Sequence, residues 1–385
     1  MKVETIINKI QSLGINSIVG VPDSTLKEFC DYINYENPNG LKHYVPANEG
    51  AAVGLAAGIY LGSGKPACVY MQNSGIGNAV NPIASLLNEK VYDIPALFLV
   101  GWRGEPGVHD EPQHKFQGTI TRELFDVLHI KNQVIDGNTS EDELSEIFRK
   151  AEEALKNNEQ FAIIVKKGTF EKRKGESHKN SYELVREDAI KEILSQVDKD
   201  DMIISTTGKI SREVYEQSDI ILGGHEQNFL TVGSMGHASM IALGLAKENK
   251  NKKAYCIDGD GAVLMHMGAL PFIAHENPNN FIHIVLNNDA HESVGGMPTG
   301  AVGVDIADIA KSAGYKNVFK AYSLEELKNA LKITKSLKEF SLFSLADSFG
   351  LPKSALDCKL TFTSIKDNSF KDLVIFNAFF NSSKL

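Results

Sequence analysis

Short, continuous apolar segments alternate with amphipathic helical patterns along the first half of the chain, and this alternation constrains the fold more than any other feature. Because these segments lack the in-and-out alternation of a half-exposed strand, they predict strands covered on both faces. Strand–helix–strand order favours right-handed crossovers and therefore one parallel sheet. The predicted strands are Ser17–Val21, Ala67–Met71, Ala96–Val100 and Phe161–Val165. The predicted helices are Ser24–Ile33, Asn48–Leu61 and Thr139–Asn157, the last of which opens with the capping pattern Ser140-x-x-Glu143.

The same pattern begins again after a charged, polar stretch, residues 171–182. We interpret this stretch as a solvated linker, because it shows no apolar periodicity. The sequence thus predicts two doubly wound α/β domains with parallel sheets, residues 1–170 and 183–385, with no third domain between them. The predicted strands of the second domain are Met202–Ser205, Ala254–Ile257, Phe281–Leu286, Val318–Ala321 and Leu342–Ala346. Its predicted helices are Ser211–Gln217, Ala238–Glu248, Gly268–His275, Ile306–Ala313 and Ser323–Ile333.

Composition and charge exclude several classes of protein. The 385 residues include 40 basic and 49 acidic side chains, a net charge of −9, whereas a surface that tracks nucleic-acid phosphates needs excess basic residues. The longest apolar run in the first half, Ala96–Val100, is far shorter than the ~20 residues of a membrane span, and no secretory leader is visible after Met1. The four cysteines lack Cys-x-x-Cys spacing, which suits a reducing compartment. We therefore expect a cytoplasmic protein without nucleic-acid or membrane partners.

Small and acidic residues follow a predicted strand in the segment Ile257–Ala262 (IDGDGA). Small residues let the backbone approach a phosphate, and a helix that begins here offers free N–H groups and its positive dipole end. A carboxylate in this place would repel a bare phosphate, so the pattern makes sense if Mg²⁺ lies between the two groups. Asn287-Asn288-Asp289, after the next predicted strand, would add oxygen ligands. A plain strand-to-helix turn is the alternative, whereas an EF-hand loop fails because neither position 269 nor position 271 is glutamate.

The number of residues between the Gly-Asp-Gly and Asn-Asn motifs resembles the signature of the thiamine diphosphate-dependent 2-oxoacid decarboxylases, in which Asn-Asn follows Gly-Asp-Gly at this spacing. Gly259 to Asn288 spans 30 residues. Val45–Ala52 is similar to the segment that carries the cofactor-activating glutamate of this family, and Val232–Gly236 to the segment that grips the aminopyrimidine. The lack of a third domain is typical of a compact subgroup. Within it, residues 20–24, 110–114, 205–209 and 287–296 resemble the phosphonopyruvate decarboxylases, of which the sulfopyruvate decarboxylases are close relatives; the resemblance covers about residues 1–335.

The resemblance implies two domains of the thiamine-diphosphate-binding type, the first for the pyrimidine and the second for the diphosphate. The implied Mg²⁺ ligands are the side chains of Asp260 and Asn288 and the backbone carbonyl of Ala290, which stands where the family usually has glycine. Gly233 is implied to accept from the 4′-amino group, and Met235 to wedge the cofactor into a bent conformation. The other residues implied to contact the cofactor are Asn73, Thr207, Gly208, Ser234, Gly261 and Ala262.

Glu49 is the residue that the resemblance implies as the activating acid. By itself, a glutamate at the start of an Ala/Gly-rich helix is a favourable N-terminal charge. In the resembling family it hydrogen-bonds N1′ of the pyrimidine and promotes the imino tautomer that removes the thiazolium C2 proton. The acid that protonates the product is implied to be Asp23, His109 or His114. Asp23 is interpreted equally well as an N-cap, and both histidines lie in a predicted loop, Glu105–Gln117.

The expected substrate is a small anionic 2-oxoacid. Pyruvate decarboxylases carry a glutamate four residues past the carbonyl ligand, where this chain has Val294, and the lack of a carboxylate suits an anionic group. The resemblance implies decarboxylation of 3-phosphonopyruvate to phosphonoacetaldehyde and CO₂ through a thiamine diphosphate ylide, by a homodimer or higher homo-oligomer. Sulfopyruvate decarboxylation and a non-catalytic cofactor-binding subunit are the alternatives. Basic residues that could meet the anion are Arg103, Lys115, Lys209 and Arg212.

The C-terminal tail has an unusual composition. Eight of the 19 phenylalanines lie in the last 46 residues, and the family resemblance fades near residue 336. We expect a divergent or frame-shifted tail, in which Leu373–Phe380 forms an apolar patch that needs a partner surface.

Overall fold

The computed structural model describes residues 1–37, 40–173, 180, 182–294, 296–336 and 372–376. The chain divides into two compact units, Met1–Ser177 with His291–Met297, and His178–Ala290 with Pro298–Leu385. Each unit contains one six-stranded sheet whose paired strands all run parallel, with helices between them. The predicted α/β class with two parallel sheets is therefore confirmed. Within the described part of the chain, none of the helices is both long and apolar enough to cross a membrane.

The first unit contains six strands, in the sheet order β2-β1-β3-β4-β6-β5. These are β1 (Ser17–Gly20), β2 (Lys42–Tyr44), β3 (Ala67–Gln72), β4 (Ala96–Gly101), β5 (Lys131–Ile135) and β6 (Gln160–Val165). Its helices are α1 (Val3–Ser12), α2 (Lys27–Asp31), α3 (Glu49–Ser63), α4 (Ile76–Pro82), α5 (Pro112–Val127) and α6 (Glu141–Lys156). Helices α2 and α4 each continue into a π-helical turn, Tyr32–Glu36 and Ile83–Leu87 respectively.

The continuous apolar sequence of the central strands follows from burial on both faces of the sheet. In β4, Leu97 and Leu99 belong to one hydrophobic cluster, whereas the alternating Phe98 and Val100 belong to a second cluster. All four side chains are 0% exposed. Because successive side chains of a strand point to opposite faces, a strand between two cores has no position for a polar residue.

Helices α6 and α3 both begin at side-chain caps that the sequence contains. The predicted capping box of α6 is confirmed, because the Ser140 hydroxyl accepts from the Glu143 N–H while the Glu143 carboxylate accepts from the Ser140 N–H. Helix α3 begins after Asn48, whose side-chain oxygen accepts from the Ala51 N–H at 2.8 Å. This cap fixes the start of α3 and therefore the place of Glu49, the first residue of that helix.

The second unit contains the second sheet, in the order β13-β14-β10-β9-β7-β8. The strands that follow β6 along the chain are β7 (Met202–Ser205), β8 (Asn228–Leu230), β9 (Ala254–Gly259), β10 (Phe281–Leu286), β11 (Ala290–His291), β12 (Met297–Pro298), β13 (Asn317–Phe319) and β14 (Asp372–Phe376). Strands β11 and β12 pair only with each other. The helices are α7 (Arg186–Leu194), α8 (Lys209–Ile221), α9 (Ala238–Glu248), α10 (Asp260–Met265), α11 (Ala269–Glu276), α12 (Ile306–Ala313) and α13 (Leu324–Ser336).

The C-terminal part of this sheet differs from the prediction. The strand predicted at Val318–Ala321 is Asn317–Phe319, and the strand predicted at Leu342–Ala346 lies outside the described residues. Strand β14, from the tail that we expected to need a partner surface, pairs in parallel with β10 on one side and β13 on the other. Backbone hydrogen bonds to two neighbours therefore hold residues 372–376 within the sheet.

Candidate active site

Glu49 is buried at the start of α3 and is held through one of its two carboxylate oxygens. It is 5% exposed, and its Oε2 accepts a hydrogen bond of 2.8 Å from Nδ2 of Asn78 on α4. Its Oε1 accepts no hydrogen bond from a described residue and lies against Gly75, where a built Cβ would come within 2.4 Å. One oxygen is thus fixed by Asn78, and the other is left for a ligand.

Asp23 follows β1 and is 0% exposed. Its Oδ2 accepts from the N–H groups of Thr25 and Leu26 at 3.1 and 3.2 Å, which closes the turn that leads into α2. Its Oδ1 accepts from Nε2 of Gln72 at 2.6 Å. Burial raises the pKa of the Asp23 carboxyl, while the hydrogen bond from Gln72 and the turn N–H groups act in the opposite direction. Asp23 thus closes the turn before α2 but is not the N-cap of that helix, which is Leu26. The role of Asp23 as an acid stays a prediction.

Asn73 lies in the short turn between β3 and α4 and is 1% exposed. Its Nδ2 donates to the Arg103 carbonyl and to the Thr121 hydroxyl, both at 2.8 Å, and its Oδ1 accepts from the Arg103 N–H at 3.1 Å. Asn73 therefore links the end of β3 by hydrogen bonds to the segment that follows β4. Its implied contact with a cofactor stays a prediction.

Arg103 and Asp110 form an ion pair across the loop that follows β4. The Arg103 Nε donates to Asp110 Oδ2 at 2.8 Å, its Nη2 donates to Oδ1, and its Nη1 donates to the Ser24 hydroxyl at 3.0 Å. The carboxylate of Asp110 also accepts from the Gly104 N–H at 2.8 Å. The Arg103 guanidinium holds the pKa of Asp110 far below its usual range. The pair fixes the shape of this loop.

The loop predicted over Glu105–Gln117 is shorter than expected, because Pro112 begins α5. Proline suits the first helical position, where its missing N–H would have no partner. His109 is exposed in the loop, whereas His114 lies in the first turn of α5 with a buried Nδ1 that has no described hydrogen-bond partner. Burial and the charge of Arg103 lower the pKa of His114. The catalytic role of His109 and His114 stays a prediction.

In the second unit, Asp260 and Asn288 leave two neighbouring strand ends, as expected. Strands β9 and β10 pair in register, with Gly259 opposite Leu286. Asp260 is 4% exposed, and its Oδ2 accepts from the Thr299 hydroxyl at 2.5 Å. Burial raises its pKa to about 7, and the charge of Asp289 acts in the same direction. Among the described residues, no basic side chain forms an ion pair with Asp260.

The loop after β10 places further oxygen atoms beside this carboxylate. The Asn288 side chain is 8% exposed, and its Oδ1 accepts from the Ala290 N–H at 3.1 Å. Asp289 has a φ of 56°, and its side chain accepts from the Tyr182 hydroxyl. The Asn288 carbonyl accepts from Nδ2 of Asn180 at 3.1 Å. Two residues of the predicted linker, Asn180 and Tyr182, thus bind this loop and are not merely solvated.

The donor set at these strand ends fits a small, hard divalent cation. Asp260 supplies a carboxylate, Asn288 an amide oxygen and Ala290 a backbone carbonyl, which are the ligand types that Mg²⁺ prefers. The raised pKa of Asp260 indicates a buried carboxylate without a compensating charge, and a cation would supply that charge. The residues present therefore fit Mg²⁺.

The segments implied to contact the rest of the cofactor lie in the same unit. Gly261 and Ala262 are buried in the first turn of α10. In the turn that includes Gly233, Ser234 and Met235, a Cβ added to Gly236 would come within 3.0 Å of the Ala262 carbonyl, so this turn packs against α10. Gly208, with a φ of 91°, is the N-cap of α8, and the Thr207 hydroxyl donates to the Val232 carbonyl at 2.9 Å.

The remaining basic candidates lie on two helices, α5 and α8. Lys115 is exposed on α5, and Lys209 and Arg212 lie in the first turn of α8. The structure does not bring Lys115 together with Arg103 in any hydrogen bond or ion pair of the described residues.

Sequence reasoning missed the polar side chains that hold the candidates in place. Asn78 and Thr299, which bind Glu49 and Asp260, are 29 and 39 residues away from them along the chain. Nothing in the sequence around Asn78 or Thr299 indicates these contacts.

Comparison with known proteins identifies the family. The model "Thiamine pyrophosphate enzyme, N-terminal TPP binding domain" matches residues 2–127, and the corresponding C-terminal domain model matches residues 222–345. The chain is 32% identical over 367 residues to phosphonopyruvate decarboxylase of Streptomyces viridochromogenes, covering 89% of each chain. It is 32% identical to phosphonopyruvate decarboxylase of Streptomyces hygroscopicus, covering 84% of this chain and 81% of that protein. It is 30% identical to sulfopyruvate decarboxylase of Methanosarcina acetivorans, covering 88% and 89%.

Both halves of the chain thus match thiamine pyrophosphate (thiamine diphosphate) domains, and the likeness to whole decarboxylases extends over most of their length. The cofactor is therefore thiamine diphosphate, and the chain belongs to the thiamine pyrophosphate-dependent enzymes, in the family of the phosphonopyruvate and sulfopyruvate decarboxylases.

Proposed function

We propose that this protein decarboxylates 3-phosphonopyruvate to phosphonoacetaldehyde and CO₂. The observation that carries the proposal is the 32% identity to a phosphonopyruvate decarboxylase over 89% of both chains. The buried Glu49 in one unit and the oxygen cluster around Asp260 in the other are consistent with it, because each has the chemistry that one end of thiamine diphosphate requires.

Thiamine diphosphate supplies, when bound, the electron sink that lets the carboxylate of a 2-oxoacid leave as CO₂. In our proposal, Asp260, Asn288 and the Ala290 carbonyl hold Mg²⁺, and the N–H groups of Gly261 and Ala262 face the diphosphate. The cation offsets the repulsion between the Asp260 carboxylate and the phosphate oxygens. Thr299 orients the carboxylate through its hydrogen bond to Oδ2.

Glu49 holds a proton at the pyrimidine in this proposal. Its Oε2 is occupied by Asn78, so the proton and the hydrogen bond to the ring nitrogen belong to Oε1. Small neighbours leave room for a ring, since Gly75 packs directly against Oε1 and Ala52 follows within the first turn of α3. Burial excludes water from this oxygen and strengthens the interaction.

We also propose that the protein is a homodimer or a higher homo-oligomer. Contact with a second chain would remove several exposed large apolar side chains of the first unit from water. The most exposed are Leu61 (70%), Tyr92 (65%), Phe116 (74%) and Val127 (76%). Light scattering coupled to size exclusion should give a mass of at least two chains, and a monomer at working concentration would contradict the proposal.

A cytoplasmic location is part of the same proposal. Cys30, Cys68 and Cys256 are free and buried, which suits a reducing compartment.

The decisive experiment measures CO₂ release from phosphonopyruvate, sulfopyruvate and pyruvate, with thiamine diphosphate and Mg²⁺ present. We expect the highest kcat/KM with phosphonopyruvate and the lowest with pyruvate. A higher value with sulfopyruvate would select the alternative that the 30% identity to a sulfopyruvate decarboxylase supports. No release from any of the three would leave a non-catalytic cofactor-binding protein and refute the proposal.

Two variants test the site itself. Glu49→Gln should fold normally and lose about 10²–10⁴-fold in kcat/KM, the usual contribution of a positioned acid–base group. Asp260→Ala should fold normally and lose affinity for Mg²⁺ and thiamine diphosphate in calorimetric titrations. An active Glu49→Gln enzyme, or undiminished cofactor binding by Asp260→Ala, would contradict the assigned roles.

A further inference from the structure

A cluster of three potential metal ligands lies inside the second sheet, on strands β9 and β10. Cys256 and Asp258 are two residues apart on β9, so their side chains share one face of the sheet. His283 on β10 lies directly opposite Cys256 in the strand register. The Cys256 sulfur, an Asp258 carboxylate oxygen and an imidazole nitrogen of His283 all lie within 4.8 Å of one another.

The cluster is fully buried, and most of its polar atoms have no partner. Cys256, Asp258 and His283 are 0%, 1% and 0% exposed. Asp258 Oδ2 and both ring nitrogens of His283 form no hydrogen bond with a described residue, and the buried hydroxyl of Tyr315 also has none. Buried polar atoms are almost always paired, and leaving one unpaired is destabilising. Four such atoms indicate a ligand.

A direct contact between the side chains does not satisfy them. The imidazole Nε2 lies 3.5 Å from Asp258 Oδ2, which is beyond the usual length of a charge-assisted hydrogen bond. That separation instead matches the ligand-to-ligand edge of a tetrahedral metal site, about 3.4 Å when the metal–ligand bonds are about 2.1 Å. A bridging water would satisfy two of these atoms but would give the thiol no role.

We propose that Cys256, Asp258 and His283 bind a structural Zn²⁺ ion. Sulfur and imidazole nitrogen are ligands for zinc and are poor ligands for Mg²⁺, so this site differs chemically from the all-oxygen set around Asp260. The thiol binds as thiolate and its proton goes to solvent. Water or the Tyr315 hydroxyl would complete the tetrahedron. The ion would join β9 to β10 directly before the Gly259-Asp260 turn.

The test uses the full-length protein, with zinc itself as the probe. Protein produced in zinc-supplemented medium and dialysed against a mild chelator should retain about one zinc per chain by elemental analysis. Excess Mg²⁺ should not displace it. After exchange with Co²⁺, the wild-type protein should show the near-ultraviolet sulfur-to-cobalt charge-transfer absorption that reports a thiolate ligand.

Cys256→Ser and His283→Asn should each reduce the zinc content to near zero, and Cys256→Ser should abolish the cobalt–thiolate absorption. Cys68→Ser is the matched control, because Cys68 is equally buried in a strand of the first sheet and is expected to leave both signals unchanged. To separate metal loss from misfolding, the unfolding temperature is measured with and without zinc. Zinc should raise it in the wild-type protein and in Cys68→Ser but not in the other two variants.

Two results would overturn the proposal. One is a wild-type protein that retains no zinc and shows no cobalt–thiolate absorption. The other is zinc retention by folded Cys256→Ser and His283→Asn at the wild-type level, which would assign the metal to other residues.

Discussion

Replacing Gly75 by alanine should displace the carboxylate of Glu49 without disturbing the backbone. Gly75 has φ −76° and ψ −12°, which alanine adopts readily. A Cβ at this position would lie 2.4 Å from Oε1, 2.5 Å from Cδ and 2.6 Å from Cγ of Glu49. The added methyl group therefore collides with the carboxyl end of the Glu49 side chain.

The size of the effect follows from the distance that Glu49 has to move. Ordinary van der Waals contact begins at 3.4 Å, so Oε1 has to retreat by about 1 Å, and the hydrogen bond between Oε2 and Asn78 is strained in the process. Misplacement of a reacting group by about 1 Å can cost about 10²-fold in rate. We expect Gly75→Ala to lower kcat/KM for CO₂ release by about that factor, or about 2.7 kcal/mol.

The assay compares five proteins at saturating thiamine diphosphate and Mg²⁺: the wild type, Gly75→Ala, Gly62→Ala, a Glu49 variant and the double variant. Gly62→Ala is the control on the same helix as Glu49, because a Cβ at Gly62 meets nothing within 4 Å, and it should keep wild-type activity. Glu49→Ala removes Cγ, Cδ and Oε1, the three atoms with which the new methyl group would collide, and will itself be slow. Adding Gly75→Ala to Glu49→Ala should cost much less than adding it to the wild-type enzyme, since the colliding atoms are gone.

Wild-type activity in Gly75→Ala would refute the reasoning. An equal loss in both backgrounds would also refute it, because the methyl group would then act on something other than Glu49.

Three further predictions concern single side chains. Asn78→Ala removes the 2.8 Å hydrogen bond to Glu49, and because such bonds to charged groups are worth about 1.5–3 kcal/mol, kcat/KM should fall about 10- to 100-fold with an unchanged circular dichroism spectrum. Burial lowers the pKa of His43 to about 4. The His43 imidazole therefore takes up a proton near pH 6.5 in the unfolded chain but stays neutral at that pH in the folded chain. In urea titrations, the contribution of His43 should make stability fall by up to about 1.4 kcal/mol per pH unit from pH 6.5 towards 4, and His43→Gln should remove that contribution. Ser140→Ala removes the capping box of α6 and should cost about 1 kcal/mol in the same titration at neutral pH.

The parts of the fold that could be predicted are those in which local sequence and burial agree. Strand β4 reads as one apolar run because both of its faces are covered. Strand β5 escaped prediction because it lies at the edge of its sheet and begins with exposed Lys131. Helix α1 was missed although Val3, Ile6, Ile7 and Ile10 have helical spacing and are buried, so its signal was present in the sequence.

The candidate site divides in the same way. Asp260 and Asn288 were predictable as neighbours because strand order places the ends of β9 and β10 together. The contact between Thr299 and Asp260 depends on how a loop returns to the sheet, which no local pattern encodes. The cluster of Cys256, Asp258 and His283 was hidden for a related reason, since it needs the register of two strands and not only their order.

Three carboxylates are buried at or near the ends of β9 and β10, and each requires a different partner. Asp258, Asp260 and Asp289 are 1%, 4% and 2% exposed, and unpaired charges at such depth are strongly destabilising. The Tyr182 hydroxyl donates to Asp289, the Thr299 hydroxyl to Asp260, and His283 lies beside Asp258. A hydroxyl cannot neutralise a carboxylate, so a cation at Asp260 and the proposed one at Asp258 would lower the cost of burying these two charges. In a chain with a net charge of −9, a cation held at Asp260 would also supply the positive charge that an anionic cofactor meets.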